Sequence, residues 1–528
     1  MQDNLSQDTS LQDTFLALAK QYDTPLYVYD LSRIERNFLS FKEAFGGRKS
    51  LICYALKANS NLGILSTLAQ LGSGADCVSI GEVKRALLAG IPKYKIIFSG
   101  VGKRAEEIEE ALKLDILFLN VESSAELKSI EQIAKKLSTQ DLQNPQQSSQ
   151  QHLHQSPRQN PHQTDSSLSS PKKARISIRV NPNIDAKTHP YISTGLSENK
   201  FGLDIESAKQ AYLYAHNSPF LDPVGIHFHI GSQICELAPI AQSAEKIANL
   251  AKSLLALGIE IRFFDIGGGL GICYEEEEEI ALYDYAQSIL SALKGSDFTI
   301  ICEPGRRIVG NAGVLLTKVL YEKRTANKRF VIVDSGMNDL MRPALYDAVH
   351  KVQVYSKASN KSSDKSNHKK GAKADIVGPV CESSDTFLRE VELGELKQGD
   401  ILGFGNAGAY GYSMASNYNT RTKPAEVGIY QKDSTTQIVL LKKRETFSEL
   451  VSNELECLKD FEKATKSSAK SSAKSSTKTK SSLECALGFG NLSNFGNLSN
   501  ADSSQDSTHT KKSKKSTKTP QKSTKSTK

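Results

Sequence analysis

The sequence has no C-x-x-C pair. Its eight cysteines, Cys53, Cys77, Cys235, Cys273, Cys302, Cys381, Cys457 and Cys485, are scattered, which argues against a zinc site or a dithiol redox motif. No run of 18 apolar residues occurs, so no membrane-spanning helix is expected. The polar, acidic N-terminus lacks the apolar stretch of a secretion signal. Together these absences predict a reduced cytoplasmic protein without a metal site. Apolar residues are scarce as well, at 38% of a 528-residue chain that is long enough for two or more domains.

That scarcity is local. Residues 139–173 are rich in Gln, Ser, Pro and His, residues 356–373 in Ser and Lys, and the tail from 461 in Ser, Lys and Thr. None of the three can bury enough apolar surface to offset chain entropy, so all three are predicted to stay unfolded. His152, His154 and His162 are incidental to the first of them. The tail also accounts for the charge. Lys463 to Lys528 hold 14 Lys, no Arg and 3 acids, a surplus of +11, so the preceding residues carry −3 of the total +8. The body therefore has no nucleic-acid footprint.

Between residues 51 and 306, short apolar runs alternate with helical patterns. The runs are LICYALKA, ADCVS, KIIFSG, ILFLNV, RISIRVNP, GIHFHIGS, FFDIGGG and TIICEPGR. Eight such units predict an α/β fold, a (β/α)8 TIM barrel over residues 33–306. The insertion at 139–173 precedes the fifth run, on the face away from an active site. After 306 the segments become short, β-rich and punctuated by turns, which predicts an antiparallel C-terminal β-domain over 307–460 with the insertion at 356–373 in a hairpin loop. TPLYVYD (24–30), within residues 1–32, is expected to add a strand to that domain.

In such a barrel the functional groups collect at the C-terminal ends of the strands. Lys57 closes the first run, Asp76 lies in the second, and His229, Gly231 and Ser232 close the sixth. Gly267, Gly268 and Gly269 close the seventh, and Glu303, Pro304, Gly305 and Arg306 close the eighth. Taken singly, each has an ordinary explanation: a snorkelling lysine, a tight turn, a core histidine, an acid paired with an arginine. G-G-G-L-G also fails the dinucleotide spacing G-x-G-x-x-G. As a set on one barrel face they match what pyridoxal phosphate requires: a lysine for a Schiff base, an acid at the ring nitrogen, and close backbone approach to the phosphate.

The motifs YALKANSN, GADCVSIGE, GIHFHIGSQ, DIGGGLG and CEPGRRIV resemble the fold-type III pyridoxal-phosphate decarboxylases, the group of the ornithine, arginine and diaminopimelate enzymes. DSGMNDLMRPALYDA, GPVCESSD and NAGAYGYSMASNYN resemble the diaminopimelate branch. The resemblance spans about residues 15–456 and implies decarboxylation of meso-2,6-diaminopimelate to L-lysine and CO2, the last step of lysine biosynthesis. It further implies that Lys57 carries the pyridoxal 5'-phosphate, His229 stacks on its ring and Glu303 meets the ring nitrogen. Gly231, Ser232, Gly268 and the Gly305–Arg306 segment would hold the phosphate. Arg306, Arg342 and Tyr346 would bind the distal carboxylate, Glu382 the distal ammonium, and Tyr410 both cofactor and substrate. Cys381 would donate the proton. Cys381 and Glu382 would come from the other subunit of a homodimer with shared active sites. Ornithine- or arginine-type decarboxylases, an alanine-racemase-like enzyme and a cofactor-carrier barrel are the rivals; the MRPALY and CESSD segments and the full β-domain speak against them.

Overall fold

The structure, a computed structural model, describes residues 11–143, 172–355 apart from 193 and 197, 372–432 and 435–475. After β1 (Leu26–Asp30) the chain enters a closed parallel barrel. Its strands are β2 (Ser50–Ala55), β3 (Gly74–Cys77), β4 (Ile96–Phe98), β5 (Phe118–Val121), β6 (Ala174–Arg179), β7 (Leu221–His227), β8 (Phe263–Asp265) and β9 (Thr299–Cys302). They pair in sequence order, and β9 returns to β2 through Leu51↔Ile301.

Helices cover the outside by burying one stripe each. Leu237–Ala256 buries Ile240, Ala244, Ile247, Ala251 and Leu254, a 3-to-4-residue spacing that faces the strands. Side chains satisfy the helix starts. Asp204 accepts from the Ser207 N–H, and Ser79 accepts from the Glu82 N–H.

The barrel interior explains why polar side chains gather at one end. Cys53, Ile97, Phe118, Val224 and Ile301 form a separate buried apolar cluster, with Phe263 packed on it. Strand side chains alternate, so the residue two further on points the same way. Two steps beyond Ile97, Phe118, Phe263 and Ile301 lie Ser99, Asn120, Asp265 and Glu303, all buried. An apolar layer thus carries a polar floor at the C-terminal mouth.

The β-domain follows with β10 (Gly313–Arg324), β11 (Arg329–Val333), β12 (Val352–Tyr355), β13 (Ala372–Val377), β14 (Thr386–Leu393), β15 (Ile401–Phe404), β16 (Ala425–Lys432) and β17 (Thr435–Lys442). The path through the sheet is β14-β13-β11-β10-β1-β16-β17. β1 sits inside this sheet, with Leu26 opposite both Leu316 and Ala425. The sheet is mixed where an antiparallel one was expected, because β1 runs parallel to β16 and β11 parallel to β13. Both parallel pairs are joined by long connections, as parallel neighbours require; apolar runs carry no record of pairing direction.

Three boundaries differ from the sequence expectation. Helix Ser124–Gln143 runs into the stretch assigned to the first insertion, and β13 starts at Ala372 inside the second. Helix Ser452–Ser475 continues past 461 into the expected unfolded tail. Its Glu, Lys and Ala content favours helix, helped by Lys466–Glu462 at i,i+4 spacing. The remainder of both insertions and of the tail lies outside the described residues. Among the described residues no helix is long and apolar enough to cross a membrane.

Candidate active site

At the barrel mouth is a cavity of about 350 Å³, of ordinary ligand-pocket size. Lys57, His229, Ser232, Gly269, Glu303, Gly305, Arg306, Arg342, Tyr346 and Tyr410 line it. The first seven follow the barrel strands; the last three come from the β-domain.

Lys57 sits in the turn Leu56–Ala58 directly after β2. Its Nζ pairs with Asp76 Oδ2 at 2.9 Å. Asp76 lies beneath it, fully buried, and its Oδ1 accepts from Ser99 Oγ at 2.8 Å. Burial opposes the Lys57 ammonium, but Asp76 and Glu303 outweigh it and raise its pKa. Burial and the Glu303 charge raise Asp76 in turn, against the pull of Lys57. The amine is thus tethered to the floor as the cation of a half-buried pair.

Glu303 follows β9 and faces His227 Nε2 across 3.5 Å. Ligand atoms of Glu303, His227 and Asp265 all lie within 4.8 Å of one another. Burial raises the Glu303 carboxyl, yet His227 and Lys57 prevail and hold it well below the usual carboxylate range. Burial and the Glu303 charge push Asp265 far up. Two acids this close divide into one ionised and one protonated, so Glu303 carries the charge and Asp265 the proton. Glu303 Oε1 is buried and makes no hydrogen bond within the protein. An orphaned buried carboxylate oxygen is costly unless a ligand meets it.

His229 has its tautomer fixed by the glycine run. Gly268 donates its N–H to His229 Nδ1 at 3.1 Å, which leaves the proton of a neutral ring on Nε2. Burial, then the charges of Arg179 and Lys57, hold this imidazole well below its ordinary range. The close approach explains the glycines. A Cβ on Gly268 would lie 2.1 Å from the Glu303 carbonyl oxygen, and Gly267 adopts φ +64°, where a side chain is strained. Gly267, Gly268 and Gly231 therefore shape the wall from behind, without lining it. Pro304 likewise stays outside the lining; its carbonyl accepts from the Ala55 N–H and ties β9 to β2.

The remaining wall holds two arginines, with Glu275, Glu277 and Asp347 also on the lining. Arg306 donates to Tyr274 Oη at 2.7 Å and to Ser232 Oγ at 3.1 Å, and its guanidinium lies over the Tyr410 ring at 4.9 Å. Tyr410 takes φ +58°, rare for a bulky residue, and its N–H donates to Ala58 O. Arg342 opens the short helix Arg342–Tyr346 and lies over Tyr274 at 4.5 Å. Both arginines are 6% exposed, and among the described residues neither makes an ion pair with a carboxylate. Two buried guanidiniums without an acid constitute an anion site.

Cys381 and Glu382 are elsewhere. Both are exposed, on the loop between β13 and β14, and neither lines this cavity. Glu382 accepts from Ser384 Oγ and from Tyr418 Oη. Among the described residues no cysteine lines the cavity.

Residues 31–310 match the family described as "Pyridoxal-dependent decarboxylase, pyridoxal binding domain". A diaminopimelate decarboxylase of Helicobacter pylori is 55% identical over 441 residues, 84% of this chain and 98% of the relative. The chain belongs to the diaminopimelate decarboxylase family. The Campylobacter jejuni diaminopimelate decarboxylase is 48% identical over 84% of this chain and 98% of its own length. A crystal structure of the Helicobacter pylori family member complexed with L-lysine superposes with a TM-score of 0.73 at 55% identity, over 84% of this chain and 99% of that one.

The sequence reading missed several members of this family site. His227 lies two residues before His229, an alternation that strand periodicity could have exposed. Asp265 opens the D-I-G-G-G segment and could have been read the same way. Tyr274, which joins the two arginines on the wall, and His350, which stands behind Arg342, carried no local signal, since packing alone brings them there.

Proposed function

We propose that this chain decarboxylates diaminopimelate to L-lysine, using pyridoxal phosphate held in the cavity at the barrel mouth. The two buried arginines without an acid partner carry the substrate assignment. Ornithine would present an ammonium to this wall and be repelled, whereas diaminopimelate presents a second carboxylate that a planar guanidinium binds through paired N–H donors.

The cavity suits the cofactor on its own chemistry. Lys57 is the amine for covalent attachment. The orphaned Glu303 Oε1 awaits a protonated ring nitrogen. His229 offers a neutral ring face, and Ser232 with the glycine wall offers donors and close backbone approach. Pyridoxal phosphate, when bound, supplies the electron sink that takes up the pair left by departing CO2. The protein's own residues do the rest. His227 and Lys57 keep Glu303 ionised opposite the ring, with Asp265 protonated beside it. Arg306, Arg342 and Tyr346 orient the distal carboxylate, and Tyr410 packs beneath Arg306. Asp76 holds the Lys57 amine in place.

We also assign Cys381 and Glu382 to the cavity of a second copy of the chain. In this reading Cys381 delivers the proton to the carbon that lost CO2, and Glu382 binds the distal ammonium. Their exposure on the β13–β14 loop, together with a cavity that lacks a thiol, supports a homodimer that shares two equivalent sites. Purified protein supplied with pyridoxal phosphate should release CO2 and lysine from meso-diaminopimelate and leave ornithine and arginine untouched. Turnover of ornithine at a comparable rate would refute the substrate assignment.

A further inference from the structure

His350 lies outside the cavity lining and outside every role assigned above, yet it is 1% exposed and has both ring nitrogens engaged. Nδ1 stands 2.8 Å from the Gly405 carbonyl oxygen, and Nε2 stands 2.9 Å from Arg342 Nη1. A carbonyl can only accept, so Nδ1 carries the proton. A guanidinium can only donate, so Nε2 accepts. The two contacts together fix one neutral tautomer. Burial, then the neighbouring Arg342 charge, push the ring down to about 3, so it stays neutral wherever the protein is folded. The ring also meets Tyr274 edge-on at 5.6 Å, and Tyr274 is the ring beneath Arg342.

The Arg342 guanidinium makes no other hydrogen bond to the protein among the described residues. Without His350 its long side chain would be aimed by stacking alone, and stacking fixes the guanidinium plane but not rotation within it. An acceptor at one N–H removes that rotation. It also does so without adding charge, so the cation remains available to an anion; a carboxylate in the same place would neutralise it.

We propose that His350 is the positioning residue for the substrate's distal carboxylate, acting through Arg342 as a neutral acceptor that sets the angle at which the guanidinium meets the cavity. The proposal rests on the assignment of Arg342 to that carboxylate.

The test compares two amides of similar polarity in the cofactor-loaded enzyme. Asn at 350 can replace the donor to Gly405 but is too short to reach Arg342. Gln can place its oxygen where Nε2 was. His350→Asn should raise KM for meso-diaminopimelate and the inhibition constant of L-lysine by about tenfold to a hundredfold, with kcat changed less than about threefold. His350→Gln should stay within about threefold of wild type on all three. In an Arg342→Ala background, His350→Asn should add less than about twofold, because its effect runs through the missing guanidinium. The cofactor absorption band should not change in any of these proteins, which separates lost positioning from a collapsed site. Equal KM values for the Asn and Gln variants, or a full additional loss on top of Arg342→Ala, would overturn the role of His350 alone. A wild-type KM in Arg342→Ala would instead sink the assignment of Arg342, and this proposal with it.

Discussion

The barrel mouth and the β13–β14 loop hold the two halves of one proposed reaction under opposite physical conditions. At the mouth, Lys57, Asp76, Asp265 and Glu303 are packed so closely with one another and with His227 that neighbouring charges shift the ionisation of all four. On the loop, Cys381 and Glu382 stand in solvent, and the Glu382 carboxylate accepts from Ser384 and Tyr418. Burial tunes a group through its neighbours; the loop residues have solvent around them instead. Under the proposal above, the cofactor half is complete within one chain and the proton-donor half comes from a second.

The most severe way to break this contrast is at the mouth. Lys57→Ala should cost at least about 10⁴-fold in activity and abolish the absorption band of the attached cofactor. A surviving band, with reduction labelling another lysine, would disprove the attachment site.

On the loop, Cys381→Ala should lower kcat by about 10²- to 10⁴-fold while leaving that band intact. Mixed with Lys57→Ala protein under conditions of subunit exchange, it should recover roughly a quarter of wild-type activity, because a heterodimer holds one undamaged site. If exchange is demonstrated and activity stays absent, both halves belong to one chain and the contrast dissolves.

Glu303→Gln keeps the shape of the floor and removes its charge. The expected loss is about 10²- to 10³-fold in kcat, with cofactor occupancy nearly retained; unchanged turnover would refute the role of the carboxylate.

The smallest effect sharpens the account of the floor and needs no cofactor. Asp265 has a folded pKa raised above its unfolded value, first by burial and then by Glu303. Below the unfolded value both states hold the proton and stability does not respond to pH. As pH rises above it, the unfolded chain ionises first, so the native state loses stability until the folded group also titrates. Asp265→Asn removes that loss. Urea melts of the apoprotein should show the variant gaining on wild type between about pH 4 and 8. A constant difference across that range would mean that Asp265 is ionised in the fold.

Much of this was readable beforehand. The alternation of apolar runs and helices located all eight barrel strands, because a buried parallel strand has to be apolar and its crossover helix has to be amphipathic. Lys57, His229, Gly269, Glu303 and Arg306 were legible because they end such runs, where a charge or a glycine run is out of place without a partner. The pairing directions in the β-domain were not legible, and neither was the helix that continues to Ser475, where composition alone had suggested unfolded chain.

The sequence by itself determined the barrel, the position of the polar residues at its C-terminal end and the family of the chain, because periodicity and local motifs are written in contiguous residues. Tertiary structure alone decided that Asp265 lies under Glu303, that Tyr274 joins Arg306 to Arg342, and that His350 accepts from Arg342. It also decided that Cys381 and Glu382 stay away from their own cavity. Each of these depends on distances between residues that are not neighbours in sequence, and such distances are set by how strands, loops and the β-domain pack together.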